Sequence, residues 1–122
     1  NLKPEQPVFR FNWSINPDAD LHYPASKAHG ALPEGHALSL DTTFARVERQ
    51  TLRKLPLSGD ILFTIRIYTD PLAALRTLPE ATRIAAVFAD QLEALTLPQA
   101  AYKGLAGKRA DLVAQLRAVA AG

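Results

Sequence analysis

The stretch RVERQTLRKLP, residues 46 to 56, places five charged side chains within its first nine residues, shortly before the most strand-like run of the chain, ILFTIRIY. Side chains of a strand alternate sides, so Arg46, Glu48, Gln50 and Leu52 project together, opposite Val47, Arg49, Thr51 and Arg53. Neither side is apolar. If this segment is one arm of a hairpin with residues 61 to 69 as the other, one register pairs Gln50 with Arg66 and Glu48 with Tyr68. That register gathers Arg46, Glu48, Gln50, Arg66 and Tyr68 into one polar patch, in which guanidinium forks, a carboxylate, an amide and a phenol can hold an anion or polarise a small ligand. A slip of one residue decides instead which set shares a face with Ile61, Phe63, Ile65 and Ile67. The pattern alone favours a plainer reading, a solvent-facing sheet surface with weak cross-strand ion pairs.

Other residue types offer less chemistry. There are no cysteines, which excludes disulfides, thiolate metal sites and cysteine nucleophiles within these residues. His22, His29 and His36 are spaced seven apart in an irregular stretch, a spacing that no helix or strand gathers on one face; they read as solvated loop residues, and no metal site is assigned. GALPEG lacks a phosphate-loop pattern. Phe9, Phe11 and Trp13 read as core rather than as a platform for stacking bases. Tyr102–Gly104 reads as a helix C-terminus, with Lys103 favourably placed near the last carbonyls.

The elements that must carry the charged segment follow from periodicity. VFRFNWSI, residues 8 to 15, alternates with Phe9, Phe11, Trp13 and Ile15 on one side, the mark of a half-buried strand, and NPDAD follows as a turn. From about 17 to 41 the chain is irregular, the kind of long connection that commonly carries function. Residues 43 to 54 and 61 to 69 flank the turn-forming LPLSGD and predict an antiparallel hairpin. A short helix is expected at about 71 to 77, with Pro71 at its start. A longer one follows a capping box formed by Thr77 and Glu80, with Ile84, Val87, Phe88, Leu92 and Leu95 facing the core. TLPQ at 96 to 99 repeats that start signal for a helix ending near Gly104. A last amphipathic helix over about 108 to 120 is buried through Leu112, Val113, Leu116 and Val119. The fold class is α+β: an antiparallel sheet backed by C-terminal helices.

The 122 residues suffice for a single domain. Fourteen basic and twelve acidic side chains leave a net charge of +2, too mild to argue for nucleic acid despite a pI of 9.2. No apolar run approaches the roughly 20 residues of a membrane span, and no secretory leader is visible, so a cytoplasmic protein is the default expectation. The chain contains no methionine and starts at Asn1, which leads us to expect a fragment.

RVERQTLRKLPLSGDILFTIRIYTDPLAAL, residues 46 to 75, resembles the haem-dependent oxidative N-demethylase family. The residues that carry the resemblance are Arg46, Glu48, Arg49, Gln50, Thr51, Leu52, Leu55 and Pro56, then Phe63, Thr64, Ile65, Arg66, Pro71 and Leu72. FRFNWSINPDADLHYP and YKGL are also similar to stretches of that family. The resemblance implies a PAS-like haem domain of which residues 1 to 122 form the C-terminal half, with the iron ligand outside this chain. It further implies a monooxygenase that demethylates a small secondary amine such as dimethylamine with O₂. Its partners would be the N-terminal half of the same domain and a flavin and iron–sulfur reductase subunit, with no membrane and no nucleic acid.

By the same resemblance Arg46, Glu48 and Gln50 become catalytic candidates, and Arg49, Arg66 and Tyr68 candidates for holding the cofactor. Arg46 or Arg66 would donate to the oxygen substrate or to a haem propionate. Glu48 would orient the guanidinium or accept a proton from the ammonium form of the amine. Arg53 and Lys54, near the turn, stay with the solvated reading. Two other readings remain: a PAS-like module that binds or senses a small ligand without turnover, and an interaction module using the C-terminal helices.

Overall fold

The computed structural model describes residues 1–21 and 38–122. His22, His29 and His36 lie outside the described residues. Three strands, β1 (Val8–Asn16), β2 (Phe44–Lys54) and β3 (Ile61–Pro71), form one antiparallel sheet in the order β1-β2-β3. A 3₁₀ helix (Leu72–Thr77) leads into α1 (Ala81–Ala94), α2 (Leu97–Tyr102) and α3 (Arg109–Ala120). The α+β class expected from the pattern is the one observed.

The hairpin register differs from the one that would have built a single five-residue patch. Gln50 stands opposite Ile65 and Glu48 opposite Ile67, while Arg66 faces Arg49 and Tyr68 faces Val47. The turn sets this. Leu55 N–H donates to the Asp60 carbonyl at 2.7 Å and Gly59 N–H to the Leu55 carbonyl at 3.0 Å, closing the loop with Lys54 opposite Ile61. Gly59 adopts φ 77°, a left-handed conformation that glycine reaches without a Cβ clash. Because the side-chain period of a strand is two, this one-residue difference moves Arg66 and Tyr68 to the opposite face from Arg46, Glu48 and Gln50.

The helical layer meets one end of one sheet face. Ile15, 3% exposed, enters the core, and Trp13 packs edge-on against Phe88 of α1 with ring centroids 5.9 Å apart. Phe9 and Phe11, expected in the core, are 58% and 63% exposed, because the helices stop short of that end of β1. Lys103 ties α2 to β1: its ammonium donates to the Trp13 carbonyl at 2.7 Å and sits 4.1 Å from the centre of the indole. Burial pushes the pKa of that ammonium below the usual lysine range.

Helix packing follows the 3.6 period with two corrections. α1 buries Ala85, Ala89 and Leu92, with Ile84, Phe88 and Leu95 packed at the margin; Val87 is exposed. The capping box expected at Thr77 does not form. Thr77 ends the 3₁₀ helix and donates its hydroxyl to the Ala74 carbonyl, and Glu80 is engaged by Arg83 at 2.9 Å. The second TLP signal does cap: Thr96 accepts from the Gln99 N–H, and the Gln99 side chain accepts from the Thr96 N–H. α3 buries Leu112, Val113 and Leu116 as the pattern indicated, with Val119 partly covered. From α3, Gln115 clasps the segment before β2, donating to the Leu38 carbonyl and accepting from the Leu40 N–H.

Candidate functional site

Successive rungs across the sheet define the face away from the helices. Ser14, Arg46 and Thr69 form one rung, Asn12, Glu48 and Ile67 the next, then Arg10, Gln50 and Ile65, and finally Val8, Leu52 and Phe63. Arg46, Glu48 and Gln50 therefore project to one side, as β2 alternation required. The third strand contributes an apolar stripe on the same face: Ile61, Phe63 and Ile65 are 46% to 59% exposed.

The polar side chains in the middle of this face are joined end to end. Arg10 Nε donates to Gln50 Oε1 at 2.6 Å, Gln50 Nε2 donates to Glu48 Oε2 at 3.0 Å, and Glu48 Oε1 lies 3.4 Å from Arg46 Nη2. An arginine carries only donors and a carboxylate only acceptors, so the two neighbours together dictate the orientation of the Gln50 amide. The row is half-sunken: Gln50 is 8% exposed, and the Arg46 and Glu48 side chains 17% and 22%. Ion pairing at that depth is less screened than on an open surface. Two guanidiniums and one carboxylate leave the row with an excess positive charge, suited to an anion at either end and a cationic or hydrogen-bonding group near Glu48.

Two members of this face were missed in the sequence. β1 alternation places Arg10 with Val8, Asn12 and Ser14, but only the pairing of β1 with β2 brings it to Gln50. Thr69, opposite Arg46, buries its hydroxyl oxygen with no hydrogen-bond partner among the described residues. A buried hydroxyl without a partner is uncommon.

Arg49, Arg66 and Tyr68 occupy the reverse face. Arg49 lies over the Phe9 ring at 5.2 Å and Arg66 over Tyr68 at 5.3 Å. They cannot line a pocket with Arg46, Glu48 and Gln50, since the sheet stands between the two sets. Among the described residues no group of three or more His, Asp or Glu side chains is placed to hold a metal ion, and no helix is long and apolar enough to cross a membrane.

The site thus belongs to an α+β domain that presents a hydrogen-bonded polar row beside an apolar stripe on an open sheet face. The family model described as haem-dependent oxidative N-demethylase, alpha subunit-like, matches residues 1–113, and the chain belongs to that family. No curated protein matches the sequence.

Proposed function

We propose that the open sheet face is one wall of a haem site in an oxidative N-demethylase-like enzyme acting on a small secondary amine with O₂. The observation that carries this reading is the continuous row Arg10–Gln50–Glu48–Arg46, flanked by Ile65 and Phe63, in a chain of this family. The residues fit the cofactor's chemistry. An exposed Ile/Phe stripe suits the apolar face of a porphyrin, and guanidiniums suit its propionates. Haem, when bound, supplies the oxygen and electron chemistry of demethylation, which no side chain here can provide. Its iron ligand would come from outside this chain.

The chain's own residues bind and orient. Arg46 or Arg10 holds an anionic group. Glu48, fixed between Gln50 and Arg46, attracts the ammonium form of a small amine and is positioned to take its proton. The apolar stripe excludes water around the alkyl groups. The sheet with helices at one end is compatible with a PAS-like domain whose remaining wall would be an N-terminal half, with electrons arriving from a flavin and iron–sulfur reductase.

The test uses the full-length protein with its reductase. Glu48→Gln should lower kcat/KM for dimethylamine by about a hundredfold, the usual scale for a general base, while leaving the haem absorption spectrum intact. Arg46→Ala should also weaken haem retention or amine binding. Unchanged spectra and turnover in both variants would overturn the assignment. A second reading, haem or ligand binding without turnover, draws on the engagement of Glu48 by Gln50 and Arg46, which ties up both of its oxygens. Bound haem with no amine-dependent oxygen consumption would select it.

A further inference from the structure

We infer that the reverse face of the sheet is a docking surface for an acidic polypeptide segment carrying a hydrophobic anchor side chain. This inference does not depend on the haem reading. On this face Phe11, Arg49 and Arg66 form one rung, and Phe9, Thr51 and Thr64 the next; Arg53 faces Leu62 beyond them. Arg49 and Arg66 stand directly opposite each other across β2 and β3, an arrangement that like charges disfavour. No carboxylate among the described residues pairs with Arg49, Arg53 or Arg66, although all three are exposed. Among the described residues the face is thus a concentration of guanidinium forks without a carboxylate partner, the side chain best suited to bidentate capture of carboxylates.

An apolar socket adjoins this basic patch. A cleft of about 250 Å³ lies where the sheet meets α1, lined by Phe11, Trp13, Val47 and Phe88 with Gln91 at its edge. Phe11 belongs to both the basic rung and the cleft. One partner segment can therefore place carboxylates on Arg49 and Arg66 and a leucine or aromatic side chain in the socket. Arginine and aromatic residues around a buried anchor are also the composition of interface centres.

Charge alone would also admit nucleic acid, but the aromatics are not disposed for it. Phe9 and Phe11 pack edge to face at 84°, and Arg49 covers the Phe9 ring, so these rings do not offer a ladder of open faces to successive bases. A protein carboxylate needs only the guanidinium forks.

The probe is a short fluorescein-labelled peptide rich in glutamate with one central leucine, titrated into the full-length protein by fluorescence anisotropy. Binding should be saturable and should weaken as salt rises, as expected for contacts made by exposed charges. Arg49→Gln/Arg66→Gln should weaken it by about tenfold or more, and Val47→Ala should weaken it without changing its salt dependence. Arg83→Gln, on α1, should leave binding unchanged, and thermal melts of all variants establish that they fold. Absence of binding, or equal binding by the Arg49/Arg66 variant, overturns the proposal. So does a single-stranded oligonucleotide of matched charge that binds more tightly than the peptide and is lost with the same arginines.

Discussion

Gln50 is the residue on which the open face turns. It sits in the central strand, 8% exposed, with one amide atom committed to Arg10 and the other to Glu48. Its hydrogen bond orients the Glu48 carboxylate, and Arg10 in turn orients Gln50. Arg10→Ala should leave a sunken carbonyl oxygen without its charged donor and lower the unfolding free energy by about 1–3 kcal/mol, read from the urea midpoint. An unchanged midpoint would mean that water replaces the guanidinium at no cost and that Arg10 is a bystander. At this scale the sequence was partly legible. β2 alternation alone assigned Arg46, Glu48 and Gln50 to one side, whereas Arg10 and Thr69 became visible only through strand pairing, because their neighbours are about forty and twenty residues away in the chain.

Elements show how identical local signals part company. Two TLP tripeptides start at Thr77 and Thr96, each followed by a residue able to complete a capping box. Only Thr96 caps, because Thr77 is already the last residue of a 3₁₀ helix and spends its hydroxyl there, while Arg83 holds Glu80 in a bidentate contact. Thr96→Ala should therefore destabilise the protein by about 1 kcal/mol and Thr77→Ala by distinctly less, a difference measurable as a shift in thermal midpoint. Equal losses would show that the Thr77 hydroxyl contributes as much to its carbonyl bond as Thr96 does to its cap. The termination of α2 was readable from composition: Gly104, at φ 71°, lets the chain turn so that Leu105 enters the core.

In the whole molecule, the core lies among the helices and the segment before β2, and most of the sheet projects beyond it. Leu92 is fully buried beside Leu112 and Leu116, whereas Val87, on the same helix, is 45% exposed. Leu92→Ala should cost about 2–5 kcal/mol and Val87→Ala well under 1, compared by chemical denaturation. The projecting sheet presents two unlike surfaces. One has the polar row beside an Ile/Phe stripe and the other has opposed arginines beside an apolar cleft. That division places residues adjacent in sequence, such as Glu48 and Arg49, on opposite surfaces.

The amino-acid sequence by itself determined the class of fold, the position of the hairpin, the amphipathic C-terminal helix and the division of β2 into two alternating sets. These rest on local periods of 2 and 3.6 residues, which a chain carries wherever it folds. Only the tertiary structure decided which set of β2 shares a face with Ile65 and Ile67. A six-residue turn can close in more than one register, and the hydrogen bonds of Leu55, Gly59 and Asp60 chose one. The same structure decided that Phe9 and Phe11 stay exposed, since alternation marks a face as apolar without saying how far the helices reach along it.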